Sequence, residues 1–526
     1  MNTSKTSGLT GAIWAKRPVD ASARARQFAG CAFFLALPSG ARTTRDDRSP
    51  DVCNPCNPMV TPDKLRLREK LCYGCGDFAS CLFWAAFSTF LFIFYTDVFG
   101  ISAAAAGTLL LVTRVLDAVV DPVVGMMADR TETRWGKFRP YLLWFCLPYA
   151  IIGVLMFTTP GLGPTGKLIW AYATYCGMMV VYTAINIPYT SLMGVISANP
   201  IERTTVSSFK FVFAFTAGLI VKFSLPHMTR FFGASNPARG WEITFMFIGA
   251  VAVVFFLITF FGTKERVHPP AAQKTSVGRD LRDLFTNGPW LVLLAATVTF
   301  ILFVATRSTI TAHYLKYYVG SKTVTMPWSS VAKTYNYEDI ASVFLPVGDA
   351  GSIVGVLLVG WFAGRVGKKP AFLILFATSI ALTLAFYWLK PSQLYWMTIL
   401  QFLGSGTGGP LSVLLWAMYA DTADYSEWKK GRRATGLVFS ASTMSQKAGW
   451  AIGGVVVGYM LDAAGFLPNV TQSAKVLDSL VWLMSVVPAV IGVVAFAFFC
   501  LYPLNEAKMS QIETDLKARR AAAGAA

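Results

Sequence analysis

The sequence predicts an all-α polytopic membrane protein, with twelve transmembrane helices in two six-helix bundles. Three observations predict it. The chain of 526 residues is 54% hydrophobic and only 14% charged, with a mean hydropathy of +0.51, whereas soluble domains average about 25% charged residues. Apolar runs near the ~20 residues needed to cross a bilayer recur along most of its length. One long polar loop, 263–287, divides those runs into two sets of six.

The elements follow in order. Residues 1–68 are Arg- and Ser-rich, with Pro clusters and a single apolar patch, Phe28 to Leu37, too short to span. This extension reads as disordered. Met59 opens MVTPDKLRLREKL, which has the character of a cytoplasmic start, so residues 1–58 read as a tail or as upstream of the true start. Six runs follow at 75–98, 101–128, 140–159, 167–196, 204–225 and 242–262, and make a first bundle over 69–262. After the middle loop come 289–318, 340–365, 370–389, 393–420, 435–462 and 478–503, a second bundle over 288–503. The tail is 504–526. The seventh, eighth and tenth runs are the least clean. In the tenth, Gly404, Gly406, Gly408 and Gly409 precede Pro410. No strand precedes them and no Lys-Ser/Thr follows, so they suit close packing or a bend rather than phosphate binding.

The net charge of +18 follows topology. Basic residues gather in alternate loops: Lys64 to Lys70, Arg130 to Arg139, Lys264 to Arg282, Arg365 to Lys369, Lys429 to Arg433, and the tail. The positive-inside rule then puts both termini in the cytoplasm of a cell whose inner membrane holds the protein. A nucleic-acid partner would need a contiguous basic patch on one soluble domain, which this distribution lacks. Three His and nine Cys leave little room for a metal enzyme. Cys53-x2-Cys56 and Cys72-x2-Cys75 have the spacing of a zinc site, but the second pair opens the first span. No nucleophile–base pair appears either, so the expectation is a protein with no enzymatic activity and no bound metal or cofactor.

The most informative stretch is Leu109 to Met127. It holds Asp117 and Asp121, four residues apart and so on one helix face, with Arg114 one turn before. An ionisable group at mid-membrane costs about 3 kcal/mol or more. Two on one face suit a wet cavity that binds a cation or a proton, and point to ion-coupled transport. Lys447 sits halfway along the eleventh run and suits the same cavity. Asp77 and Trp84 share a face of the first span, where Trp84 is a stacking platform for a ring or ordinary packing. Asn186 and Thr190 share a face of the fourth, beside Pro188, and suit either substrate contact or helix–helix hydrogen bonding.

Longer motifs carry a resemblance. KLCYGCGDFAS, YTDVFGIS and RVLDAVVDPVVGMMADRTETRWGKFRPYLLW run from Lys70 to Trp144. INIPYTSL follows near 186–192 and ADTADYSEWKKGRRATG near 420–436. The halves also echo each other: Gly125-x3-Asp129-Arg130 against Gly360-x3-Gly364-Arg365, and Arg203-Thr204-Thr205 against Arg433-Ala434-Thr435. The region from about 69 to 503 resembles the glycoside–pentoside–hexuronide:cation symporters, typified by the melibiose permease, within the major facilitator superfamily. The resemblance implies a substrate site between two bundles near the midplane and cation-coupled uptake of a sugar or glycoside.

By that resemblance, Asp117, Asp121 and Thr183 match cation-site residues, and Lys447 matches a lysine that closes the site from the second bundle. Several positions depart from the melibiose permease pattern. Cys81 replaces a sugar-binding Asp. Asn186 replaces an Asp shared by sugar and cation. Thr190 and Ser412 replace two Trp, Lys210 replaces an Arg, and Val120 replaces an Asn. The coupling pair is kept while the sugar-facing set is altered. The implied cation set is Asp117, Asp121, Thr183 and Asn186. The implied substrate set is Asp77, Cys81, Trp84, Asn186, Thr190, Lys210, Ser412 and Lys447. Asp129, Arg130, Arg134, Lys137 and Arg139 suit either a positive-inside anchor or a hinge loop that locks one conformation and releases another. The expected coupling ion is a proton rather than Na⁺. Val120 and Asn186 offer few hard oxygen ligands, and two close carboxylates favour holding a proton. Other readings are an amphipathic, lipid-like solute, or a membrane sensor without transport. The expected partners are one small-molecule substrate and the bilayer, and the expected state is a monomer.

Overall fold

The computed structural model describes residues 65–197, 200–266, 286–325, 332–430 and 435–525. The expectations for Met59, Cys53, Cys56 and nearly all of the N-terminal extension lie outside the described residues, as does most of the middle loop.

The first half comprises α1 (Leu67–Ile93), α2 (Ala103–Arg130), α3 (Arg139–Met156), α4 (Pro164–Val195), α5 (Pro200–Phe232) and α6 (Pro237–Gly262). The second comprises α7 (Gly288–His313), α8 (Tyr337–Val366), α9 (Lys368–Ala385), α10 (Leu394–Lys430) and α11 (Thr435–Ala464). It ends in α12 (Ala474–Met484) and α13 (Val486–Leu501), which form one span interrupted at Ser485. Among the described residues, nine helical segments are long and apolar enough to cross a membrane. The seventh and eighth runs are among the nine despite their untidy sequence. The tenth is not, nor are the second and eleventh. Glycine, serine and threonine dilute the apolar content of α10 and α11, and in α2 the apolar stretch found is Ala103–Arg114.

The buried apolar residues form two clusters, one uniting the first half with parts of the second such as Ile310, Phe344 and Leu461, the other lying within the second half. Aromatic stacking ties α3 to α6, where the Phe157 and Phe245 ring centroids lie 3.5 Å apart. In the second half Phe372 packs against Phe499 at 4.1 Å. The glycines of the tenth run do allow close packing. A Cβ on Gly409 would sit 2.7 Å from the Ser352 Cβ of α8, and Ser352 donates a hydrogen bond to the Ser405 carbonyl at 3.1 Å. This is the small-residue route to helix association in lipid.

Three features depart from the sequence expectation. α1 and α7 each end in a six-residue π-helical turn, Phe94–Phe99 and Tyr314–Val319, stopped by Gly100 and Gly320 at positive φ. A short antiparallel hairpin, β1 (Lys322–Thr325) with β2 (Ala332–Tyr335), pairs Lys322 with Tyr335 between α7 and α8. The tail forms α14 (Glu506–Ala525). Its Met509, Ile512 and Leu516 recur at helical spacing and are buried in the second core, while Asp515 accepts the Trp428 indole N–H at 2.8 Å.

Candidate functional site

α2 presents Arg114, Asp117 and Asp121 to the seam between the halves. The Arg114 guanidinium donates to Asp117 Oδ2 at 3.1 Å and lies 5.1 Å from the Trp84 ring. From the other half, Lys447 of α11 approaches Asp117 Oδ2 at 3.7 Å and makes a direct ion pair with Asp121. Thr183 of α4 donates to Asp121 Oδ1 at 3.1 Å. The two carboxylates differ in access: the Asp117 side chain is 4% exposed and that of Asp121 31%. The arrangement balances two carboxylates with two cations, and Asp121 is the more exposed of the two carboxylates.

Asp77 lies apart from that cluster. Lys210 of α5 pairs with it at 3.7 Å, and Cys81 Sγ is 3.9 Å from its Oδ2. The Lys210 ammonium also sits 5.6 Å from the Tyr189 ring, which stacks on Tyr73. Trp84 meets Trp450 of α11 edge-on at 6.4 Å. Both rings line a narrow cleft with Arg114 and Tyr175. Trp450 and Ser412 also border a cavity of ≈ 390 Å³ lined mainly by the second half, with Thr89 and Lys222 from the first.

At the end carrying the basic loops, the turn after α2 is held by Glu265. Its carboxylate accepts the backbone N–H groups of Lys137, Phe138 and Arg139 at 2.9, 2.8 and 3.0 Å. Arg139 caps the end of α6 by donating to the Phe260 carbonyl at 2.6 Å. The second half repeats the device. Glu506 accepts the Lys368 N–H at 2.7 Å, and Lys369 Nζ donates to the Tyr502 carbonyl at 2.6 Å. Gly136 and Gly367 supply the positive φ at matching points of the two turns. A Cβ on Gly136 would lie 2.5 Å from the Glu265 carboxyl carbon.

At the opposite end the halves are joined through Asp97. Its Oδ2 receives Lys316 Nζ and Tyr317 Oη, each at 2.5 Å. Asn469 Nδ2 donates to the Asp97 carbonyl at 2.6 Å, and Thr96 Oγ1 lies 2.9 Å from His313 Nε2. Asp339 of α8 takes Arg230 of α5 at 3.1 Å. Gly107 and Gly454 let α2 and α11 cross closely: a Cβ on Gly107 would sit 2.7 Å from the Gly454 carbonyl.

A model of the MFS/sugar transport protein family matches residues 72–506. The chain is 36% identical to the isoprimeverose transporter of Lactiplantibacillus pentosus over 85% of its own length and 91% of that protein. It is 35% identical to the putative glycoside/cation symporter YagG of Escherichia coli over 88% of its length and 97% of that protein. The chain belongs to the glycoside–pentoside–hexuronide type of major facilitator symporters. It is therefore a multi-pass membrane transporter rather than an enzyme. The fold is also that of a bacterial homologue of the lysosomal transporter Spinster, with a TM-score of 0.60 at 15% identity, covering 83% of this chain and 95% of that one.

Within this symporter, the structure brings Asp117, Asp121, Thr183 and Lys447 together with Arg114, which the sequence placed one turn before Asp117. It does not bring Asn186 onto the pair, because its side-chain amide donates to the Tyr182 carbonyl one turn back at 3.0 Å. Thr190 is exposed and makes no hydrogen bond among the described residues. In the loop after α2 Arg130 is exposed, Arg134 stacks on Trp135 at 4.4 Å, and Lys137 reaches Glu132 at 4.0 Å. The Asp129 side chain lies outside the described residues. Sequence reasoning missed Asp97, Glu265 and Glu506. The last two had a signal: each is a lone acid just past the final span of its half.

Proposed function

We propose that the protein is a cation-coupled symporter that takes up a sugar or glycoside by alternating access across a bacterial inner membrane. The observation that carries this reading is Lys447 spanning from the second half onto Asp121. One contact there links the ion-accessible carboxylate to the seam on which the halves move. The names of the relatives support the cargo class. With the basic loops cytoplasmic, the Asp97 end is outer, and the halves are joined there.

The cycle follows from charge. In the empty carrier Lys447 neutralises Asp121. A cation on Asp121 competes with Lys447 and leaves it only Asp117, which Arg114 already occupies. The cross-seam tie at this level weakens, and the cargo-competent state gains. Reciprocity then requires cargo to tighten the cation by the same factor.

The coupling ion in this proposal is the proton. Arg114 and Lys447 balance the carboxylates charge for charge, so crowding of like charges no longer argues for it. The shortage of neutral oxygens still does. Val120 offers none, Asn186 makes no hydrogen bond to either carboxylate among the described residues, and Thr183 contributes one hydroxyl. A bound Na⁺, like other hard cations, needs several oxygens. The test uses inside-out and right-side-out vesicles with labelled xylosides and other glycosides. Cargo addition to right-side-out vesicles should alkalinise the medium without Na⁺. Uptake that depends on Na⁺ at fixed pH, with no proton movement, would refute the proton assignment. No uptake of any glycoside would refute the cargo class.

A further inference from the structure

The seam holds a further ion pair that the cation site does not use. Lys222 of α5 meets Asp349 Oδ1 of α8 at 2.7 Å, so each half supplies one member. The pair borders the ≈ 390 Å³ cavity with Arg307, Ser352, Gln401, Ser412 and Trp450, a volume within the ~300–1,000 Å³ range of small-molecule sites. Other carboxylates paired across the seam are filled. Asp97 and Asp121 have both oxygens occupied. Asp339 takes Arg230 on Oδ1 and the Asn336 N–H on Oδ2. Asp349 differs. Its Oδ2 has no hydrogen bond among the described residues, and it is open to solvent rather than sealed in the protein. The Lys222 and Asp349 side chains keep 21% and 24% exposure. Gly218, one turn before Lys222, places no side chain beside Oδ2, from which a Cβ would lie 3.9 Å.

An open carboxylate oxygen in a polar cavity can take a metal cation, a proton or a hydroxyl. Charge decides among them. Among the described residues, the charged side chains lining this cavity are Lys222, Asp349 and Arg307. Arg307 pairs with no carboxylate among those residues and donates instead to Gln401 Oε1 at 2.9 Å. A cation or proton on Asp349 would enlarge an existing excess of positive charge, at a depth where charge is costly. A hydroxyl adds no charge. The ionised Asp349 is an acceptor only, and the Lys222 ammonium has three donors, of which one goes to Asp349. The pair therefore offers an acceptor and spare donors side by side, the complement of two neighbouring hydroxyls on a sugar ring. Trp450 adds an apolar surface for the ring itself.

We propose that Asp349 and Lys222 bind the cargo by two adjacent ring hydroxyls of a neutral sugar unit, one donating to Asp349 Oδ2 and its neighbour accepting from Lys222 Nζ. This rests on the sugar-transport reading above. Because the two side chains come from different halves, cargo held here ties α5 to α8. The seam then reads its two passengers at separate places, the cation at Asp121–Lys447 and the cargo at Lys222–Asp349. Trp450 also borders the cleft beside Arg114, so the remainder of a longer glycoside runs from this pair toward the Asp117–Asp121 cluster.

The experiment uses proteoliposomes of the full chain. The probes are methyl xyloside, methyl glucoside, methyl galactoside, cellobiose and lactose, followed by the monodeoxy analogues of whichever is carried best. In the wild type, deleting either of two adjacent hydroxyls should lower uptake efficiency about tenfold or more, the loss expected when a hydrogen bond to a charged group is removed. Deletions elsewhere on the ring should matter less. Asp349→Asn should slow the parent sugar by a similar factor and carry the critical deoxy analogue about as well as the wild type does. It should also move the same number of coupling ions per cargo. Combining Lys222→Gln with Asp349→Asn leaves no lone charge to disturb folding, and should erase the same discrimination. If these variants slow all sugars alike and keep the discrimination, the pair is a structural tie and the proposal is overturned. Fewer ions per cargo in Asp349→Asn would make Asp349 an ion site and overturn it too. So would a wild type indifferent to every single deletion. In those three cases the sugar-transport reading stands. If the wild type carries none of the five probes, that reading fails and the proposal with it.

Discussion

Two carboxylates of the first half each take a lysine from the second: Asp97 takes Lys316 and Asp121 takes Lys447. Their surroundings differ. The Asp97 side chain is 1% exposed and Asp121 31%. Asp97 also holds Tyr317, and its backbone carbonyl holds Asn469. Asp121 adds only Thr183. A buried carboxylate with every oxygen satisfied favours one geometry strongly, because breaking it strands charges out of water. A carboxylate with spare access can trade its lysine for a small cation. On the proposed mechanism, the Asp97 contact would hold a conformation and the Asp121 contact would read an ion.

The comparison can be broken in order of expected effect. Lys447→Ala leaves two carboxylates facing one arginine, and because Asp121 is part-exposed the cost falls below the ~3–5 kcal/mol of a fully buried pair. Cargo uptake should fall about a hundredfold, with normal amounts of protein in the membrane. Wild-type uptake in this variant would mean that the lysine merely snorkels.

Asp97→Asn should act on conformation rather than on the ion. Spin labels at the exposed positions Phe231 and Leu467, on the two halves near the Asp97 end, should report a larger separation and a broader distribution. Uptake should stay coupled to the cation, with any shift in its apparent midpoint matched by the shift in conformational populations. A shifted midpoint with unchanged distances would reverse the two roles.

The hinge anchors give smaller effects. Glu265 accepts three backbone N–H groups and Glu506 one. Glu265→Ala should destabilise the first half by about 2 kcal/mol and Glu506→Ala by about 1 kcal/mol, at roughly 1 kcal/mol per net hydrogen bond with partial replacement by water. Thermal unfolding in detergent should rank them in that order. Equal shifts would mean that the turn after α2 is held by other contacts. The smallest effect belongs to Thr183→Val, which deletes one hydrogen bond to Asp121 and should change cation dependence only a few-fold.

Much of this was legible in the sequence, and what was not has physical reasons. The acid pair could be placed on one face because four residues make about one helical turn, and its depth in an apolar run made it conspicuous. Lys447 stood out for the same reason. Asp97 did not. It lies at a helix end, where acids are ordinary, and its partners Lys316 and Asn469 come from remote parts of the chain that only tertiary structure brings near. Glu265 was hidden in a loop read for its basic residues. Asn186 looked like a ligand by position, yet its donor goes to its own helix, a choice that sequence cannot reveal. The untidiness of the seventh run was itself the trace of Arg307, Ser308 and Thr311 turning toward the cavity.

The central claim is that the cation acts on Asp121 to loosen the cross-seam tie. Its most direct test is cargo-driven cation movement in Asp121→Asn vesicles measured beside the wild type. Both proteins should exchange labelled cargo down its gradient. Cargo addition should move protons through the wild type and none through the variant, which should also fail to concentrate cargo. Coupled cation flux that survives in Asp121→Asn would contradict the account.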